Sequence, residues 1–94
     1  MLVTYDVNTE TLAGRRRLRR VARTCLDFGQ RVQHSVFECE VNPAQWAILR
    51  AALLAEIDVA RDSLRFYALG QNGRARVEHV GAKAKLDLVG PIIL

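Results

Sequence analysis

Two histidines, two cysteines, two prolines and six aromatic side chains (one Trp, two Tyr, three Phe) are all that this 94-residue chain contains of those types. Each scarcity narrows the range of functions. His34 and His79 form no HxH, HxxxH or Cys–His grouping, so neither a zinc centre nor a histidine-based nuclease dyad is expected. Cys25 and Cys39 show neither CxxC spacing nor a secreted disulfide framework. One falls on an apolar helix face and the other in a strand, and both are expected as reduced core thiols of a cytoplasmic protein. No apolar run approaches the ~20 residues that cross a bilayer, so no membrane partner is expected. The opening "MLVTYDV" has no basic stretch before an apolar one, and no signal peptide is expected. "SVFEC" is not a nucleophile elbow around Ser35. Repeats, linkers and low-complexity segments are missing too.

What the chain has in quantity is arginine, in one place. Half the residues are hydrophobic and about a quarter charged, an ordinary globular balance for a single domain spanning 1–94. A chain of this size buries roughly two-thirds of its unfolded surface and has little stability to spare. Its net charge of +4 is local in origin. Between Gly14 and Arg31 stand seven arginines against one acid, Asp27. An asymmetry of that kind suggests an anionic partner, nucleic acid first.

The pattern of elements is legible. "LVTYDV" is β-branched and aromatic and predicts a strand; "NTET" supplies turn and cap residues. From Thr11 to Leu26, Leu18, Val21, Ala22 and Cys25 recur on one helical face. Arg16, Arg19, Arg20 and Arg23 gather opposite, with Arg15 and Arg17 flanking the stripe. Gly14 falls on the buried side, where it would let the helix approach a sheet. "RVQHSVFECEV" reads as two strands meeting near His34–Ser35, and Asn42-Pro43 as a capped helix start. Trp46, Leu49, Leu53 and Ile57 form the second apolar stripe. "SLRFYAL", the turn "GQNGR" and "ARVEHV" complete a hairpin.

The order β-α-β-β-α-β with an extra C-terminal strand is the ferredoxin-like pattern: an α+β fold with two helices on one face of an antiparallel sheet. Phe37, Tyr67, Leu69 and the tail "PIIL" would leave apolar surface on the other face. A homodimer, sheet against sheet with the 81–94 tails packing on the partner, would cover it.

Among the acids Asp6 stands out, at the carboxyl end of the first strand where an apolar residue would otherwise be expected. Such a carboxylate can hold Mg²⁺, a hard cation that takes one or two protein ligands beside phosphate and water. From spacing alone, a cap on the turn "DVNTE" or a pair with a nearby arginine is the simpler account of Asp6. The remaining acids have no metal-ligand spacing with it. The arginine face, nearly free of acids, presents planar forks suited to phosphate; the bland alternative is a solvated helix face. Tyr5, Phe37 and Tyr67 could stack on bases or could simply be core.

"LVTYDV" ending at Asp6, the basic helix "GRRRLRRVARTCLDFG", "Q-x-S-V-F-E" from Gln33 to Glu38 and "DSLRFYAL" together resemble the CRISPR-associated protein 2 family across nearly the whole chain. The resemblance implies a ferredoxin-like homodimer acting in spacer acquisition and antiviral defence in a prokaryotic cytoplasm. It would bind double-stranded DNA along its basic surface and bridge the CRISPR-associated integrase. It also implies Mg²⁺-dependent endonuclease activity on single-stranded RNA or duplex DNA, with Asp6 as the catalytic and metal residue. Tyr5, Phe37, Arg31 and the basic positions near Arg16 and Arg20 match positions the family uses around the site or for nucleic acid. Three alternatives stand beside an active nuclease. They are a scaffold without catalysis, a toxin-type ribonuclease on the same fold, and a ligand-binding regulatory domain.

Overall fold

Alternation along the first strand sets the two sides of the molecule. In β1 (Leu2–Asp6), Val3 and Tyr5 are buried, Leu2 and Thr4 half-buried, and Asp6 exposed. The computed structural model describes residues 1–69 and 75–82. After β1 come α1 (Leu12–Leu26), β2 (Gly29–Gln33), β3 (Val36–Cys39), α2 (Pro43–Glu56), β4 (Ser63–Leu69) and β5 (Ala75–Gly81). The strands form one sheet in the order β2-β3-β1-β4-β5, antiparallel at every junction. This is the α+β architecture expected from the sequence, with β5 added beside β4.

Both helices cover one face. Val21 and Cys25 of α1 and Leu49 and Leu53 of α2 share a core with Val3, Tyr5, Phe37, Cys39, Leu64 and Phe66. The rings of Trp46 and Phe66 meet edge to face at 4.7 Å, joining α2 to the centre of the sheet. Both helix starts follow from their caps. Thr11 accepts the Gly14 N–H at 3.0 Å, and Asn42 and Gln45 form a reciprocal capping box with proline in the first turn.

Two details differ from expectation. Phe37 does not belong to the uncovered sheet face; it is fully buried beneath the helices, because β3 pairs with β1 so that Phe37 stands opposite Val3. Tyr67 stands opposite Leu2 on the uncovered face, both part-exposed. Gly14 makes its close approach to the loop after β1 rather than to the sheet, since a Cβ there would fall on the Asn8 carbonyl. The two cysteines are free and buried, and burial pushes the Cys25 thiol up to about 12. The turn "GQNGR", the side chain of Leu69 and the tail from Lys83 onward lie outside the described residues. No described helix is long and apolar enough to cross a membrane.

Candidate active site and nucleic-acid surface

Asp6 ends β1 opposite Ser63 of β4 and is exposed. It lines a recess of about 350 Å³ with Tyr5, Val7, Leu18, His34 and Ser35. The antiparallel pairing of β3 with β1 explains the meeting. The start of β3 must lie beside the end of β1, and the turn His34–Ser35 immediately precedes β3. The register of β2 against β3 shifts between Arg31 and Gln33, as the outer strand enters that turn.

Tyr5 fastens the turn in place. Its backbone N–H donates to the Ser35 carbonyl at 3.2 Å, and its hydroxyl donates to the His34 carbonyl at 3.3 Å. Burial raises the Tyr5 pKa against an opposing pull from Arg31, so the hydroxyl keeps its proton and acts as a donor. Its ring stacks on Phe37 at 6.0 Å, and the Arg31 guanidinium lies 5.1 Å over the Phe37 ring. Tyr5 thus lines the recess. Phe37 lies behind it as support, and Arg31 sits on β2 against that aromatic pair.

The outward arginines of α1 come together as the helical period requires. Arg16, Arg19, Arg20 and Arg23 are all exposed and line a separate shallow recess of about 300 Å³ without a carboxylate. Arg17 is different: it turns inward, and its guanidinium grips the fully buried Asp62 with a 2.8 Å contact. The flanking position on the helix was readable in the sequence, but its partner was not, because Asp62 is 45 residues away.

Sequence spacing passed over His34 and Ser35, which have no acid beside them in the chain. With the turn already read at 34–35, pairing β3 antiparallel to β1 was the missing step that brings both to Asp6. Among the described residues no three His, Cys, Asp or Glu side chains group as a metal cage. The donor set at Asp6 fits a hard cation such as Mg²⁺, which takes one or two carboxylates and completes its shell with water and phosphate. It does not fit a fully protein-ligated zinc.

The chain is 67% identical over all 94 of its residues to the CRISPR-associated endoribonuclease Cas2 of Chlorobaculum tepidum, covering 98% of that protein. It is 50% identical over 93 residues, 99% of its length, to the CRISPR-associated endonuclease Cas2 of Halalkalibacterium halodurans, covering 97% of that protein. The crystal structure of Streptococcus pyogenes Cas2 superposes with a TM-score of 0.69 and 62% identity, over 76% of this chain and 86% of that one. The family model described as CRISPR associated protein Cas2 matches residues 1–77, and the chain belongs to that family.

Proposed function

We propose that this protein is a divalent-metal-dependent endoribonuclease of a CRISPR system, built around Asp6 and working as a homodimer. The observation that carries the reading is the exposed Asp6 carboxylate in a recess whose far wall, the His34–Ser35 turn, is tied to the neighbouring Tyr5 by two hydrogen bonds. The endoribonuclease names of relatives 60–67% identical over the whole chain support RNA as the substrate.

In this reading Asp6 holds the cation, which when bound supplies positive charge against the phosphodiester. Tyr5 keeps its proton and fixes the turn, so the recess retains its shape around the substrate backbone. Arg16, Arg19, Arg20 and Arg23 grip phosphates away from the cut, and Arg31, braced on Phe37, adds a further cation. A dimer through the uncovered sheet face would bury Leu2 and Tyr67 and bring a second Asp6 to the assembly.

The carboxylate-free arginine recess favours a second reading. There the protein holds double-stranded DNA along α1 and bridges the CRISPR-associated integrase, with Asp6 structural.

One experiment separates the two. Wild type and Asp6→Asn are compared for cleavage of single-stranded RNA and duplex DNA, with and without Mg²⁺, while binding of the same molecules is recorded. The nuclease reading expects metal-dependent cutting of RNA that Asp6→Asn abolishes while binding persists. Equal binding of duplex DNA with no cutting by either protein would replace it with the scaffold.

A further inference from the structure

A buried carboxylate outside both recesses carries four hydrogen bonds. Asp62 is fully buried. Its Oδ1 accepts from the Asn8 backbone N–H at 3.0 Å and from Arg17 Nη2 at 3.3 Å. Its Oδ2 accepts from Arg17 Nε at 2.8 Å and from the Asp58 backbone N–H at 2.9 Å. Burial alone would raise the Asp62 pKa, but Arg17 and the two amides outweigh it and hold the carboxyl below its ordinary range.

The donors come from separate parts of the chain. Asn8 lies two residues beyond Asp6, and Ser63, next to Asp62, is the ladder partner of Asp6. The strand end bearing Asp6 is therefore held by the ladder at Ser63 and, two residues on, by the carboxylate of the adjoining Asp62. Helix α1 enters the same knot through Arg17 and through Gly14, whose missing Cβ lets the first helical turn close on the Asn8 carbonyl. The end of β5 joins as well. The Ala82 N–H donates to the Asp62 carbonyl at 3.0 Å, beside Gly81, whose φ of +113° and close approach to that carbonyl suit glycine. Desolvating two charges often costs as much as their attraction returns, so cohesion alone does not account for an ion pair here. Directional bonds that fix three segments, the loop at Asn8, helix α1 and the 58–62 turn, in one geometry do.

We infer that the Asp62–Arg17 pair is a positioning device, the joint that fixes the Asp6 carboxylate relative to the arginine face of α1. The inference rests on Asp6 being the reactive residue, as proposed above. Arg17 in this role is spent inside the fold and is not one of the phosphate contacts.

The test uses the full chain and a short fluorescein-labelled single-stranded RNA. Wild type, Asp62→Asn, Arg17→Lys and Asp6→Asn are each measured well below their unfolding midpoints. Single-turnover cleavage in Mg²⁺, RNA affinity by anisotropy without metal, and exchange of the Asn8 amide are recorded. Asp62→Asn should bind RNA within about twofold of wild type but cleave about tenfold to a hundredfold more slowly, because small misplacements of a reacting group cost rates of that order. Its Asn8 amide should exchange faster. Arg17→Lys keeps the charge but not the two-pronged contact and should fall between. A role confined to folding would leave rate and affinity together in the folded protein, so a drop in rate alone marks positioning.

An Asp62→Asn rate within about twofold of wild type overturns the inference, since misplacing a reacting group costs far more. If that variant does not fold, a wild-type rate for Arg17→Lys does the same. Cleavage that survives Asp6→Asn, or no cleavage by wild type, overturns the proposed function instead and removes what Asp62 would position.

Discussion

The two helices lie on the same face of the same sheet and are built on opposite plans. Helix α2 begins with a full capping box, buries Leu49 and Leu53, and shows solvent Ala44, Ala47, Ile48, Ala51 and Ala55. Helix α1 has a single threonine cap, and it shows solvent an almost unbroken arginine face. Arginine is a good helix former, so propensity is not what α1 gives up. The loss is electrostatic. Arg16–Arg19, Arg16–Arg20, Arg19–Arg23 and Arg20–Arg23 are neighbours at three or four residues, and such like-charge pairs cost about 0.2–0.5 kcal/mol each. A helix selected for folding alone would alternate signs, as exposed helices commonly do. The excess repulsion on α1 is what a polyanion would relieve, and α2 has no comparable charge to relieve.

The largest test of that contrast removes the packing side of α2. Leu53 is fully buried, and Leu53→Ala should lower stability by about 2–5 kcal/mol through lost transfer energy and a residual cavity. Urea unfolding gives the loss. Nucleic-acid affinity of the folded fraction should stay at the wild-type value, since nothing on the arginine face has changed. A parallel fall in affinity at full folding would mean that α2 shapes the binding surface.

Reversing charge on α1 should do the opposite. Arg16→Glu/Arg20→Glu is expected to weaken binding of a single-stranded RNA by about a hundredfold at low salt, by removing two phosphate contacts and repelling the backbone. The unfolding midpoint should hold or rise slightly, because Glu–Arg neighbours replace the 16–19 and 20–23 repulsions while 16–20 stays a like-charge pair. For wild type on duplex DNA, ~4 neutralised phosphates per subunit predict a log–log salt slope of about −3.5. Affinity retained in the reversed protein would show that α1 is only a solvated face.

How far the sequence revealed this division depends on whether the interacting residues are near one another in the chain. The element order, the Asn42-Pro43 start, the turn at His34–Ser35 and the arginine face were legible because periodicity and caps act over a few residues. The address of Phe37 was not, since its side of the sheet depends on pairing with Val3, a residue far away in sequence. The recess around Asp6 was half legible: the carboxylate at the strand end was visible, but the turn opposite it comes from another strand pair. Asp62 could be read only as one of several acids near the end of α2. Its role comes from Arg17 and Asn8, which spacing does not connect to it.

Caps give a smaller difference between the helices. Asn42→Ala removes the side-chain acceptor of the Gln45 N–H at α2, leaving the backbone N–H that Gln45 Oε1 accepts, and should cost about 1 kcal/mol, while Thr11→Ala removes the matching bond from α1 and should cost somewhat less, threonine being the weaker cap. Thermal unfolding of the two variants side by side gives the order. A larger loss at Thr11 would mean that α1 has little else holding its first turn beyond Gly14 against Asn8.

Salt provides the smallest effect, and its sign distinguishes the helices. Raising ionic strength from about 0.1 M to 1 M shortens the Debye length from roughly 10 Å to 3 Å and weakens interactions between exposed charges. On α1 those interactions are repulsive, so screening should stabilise by a few tenths of a kcal/mol. On α2 the exposed-side interaction is attractive: Arg50 pairs with Glu78 of β5 while both side chains keep over a third of their exposure, and the pair is worth about 0–1 kcal/mol at low salt. Screening should therefore weaken that contact. Wild type sums the two, whereas variants separate them. Arg16→Gln/Arg20→Gln should lose the gain and become less stable with added NaCl relative to wild type, and Arg50→Gln should lose the penalty and become relatively more stable. Urea midpoints at the two salt concentrations measure both shifts. Shifts of the same sign in the two variants would mean that the charges on α1 are already balanced by neighbours, and that its arginines are not held in mutual repulsion awaiting a polyanion.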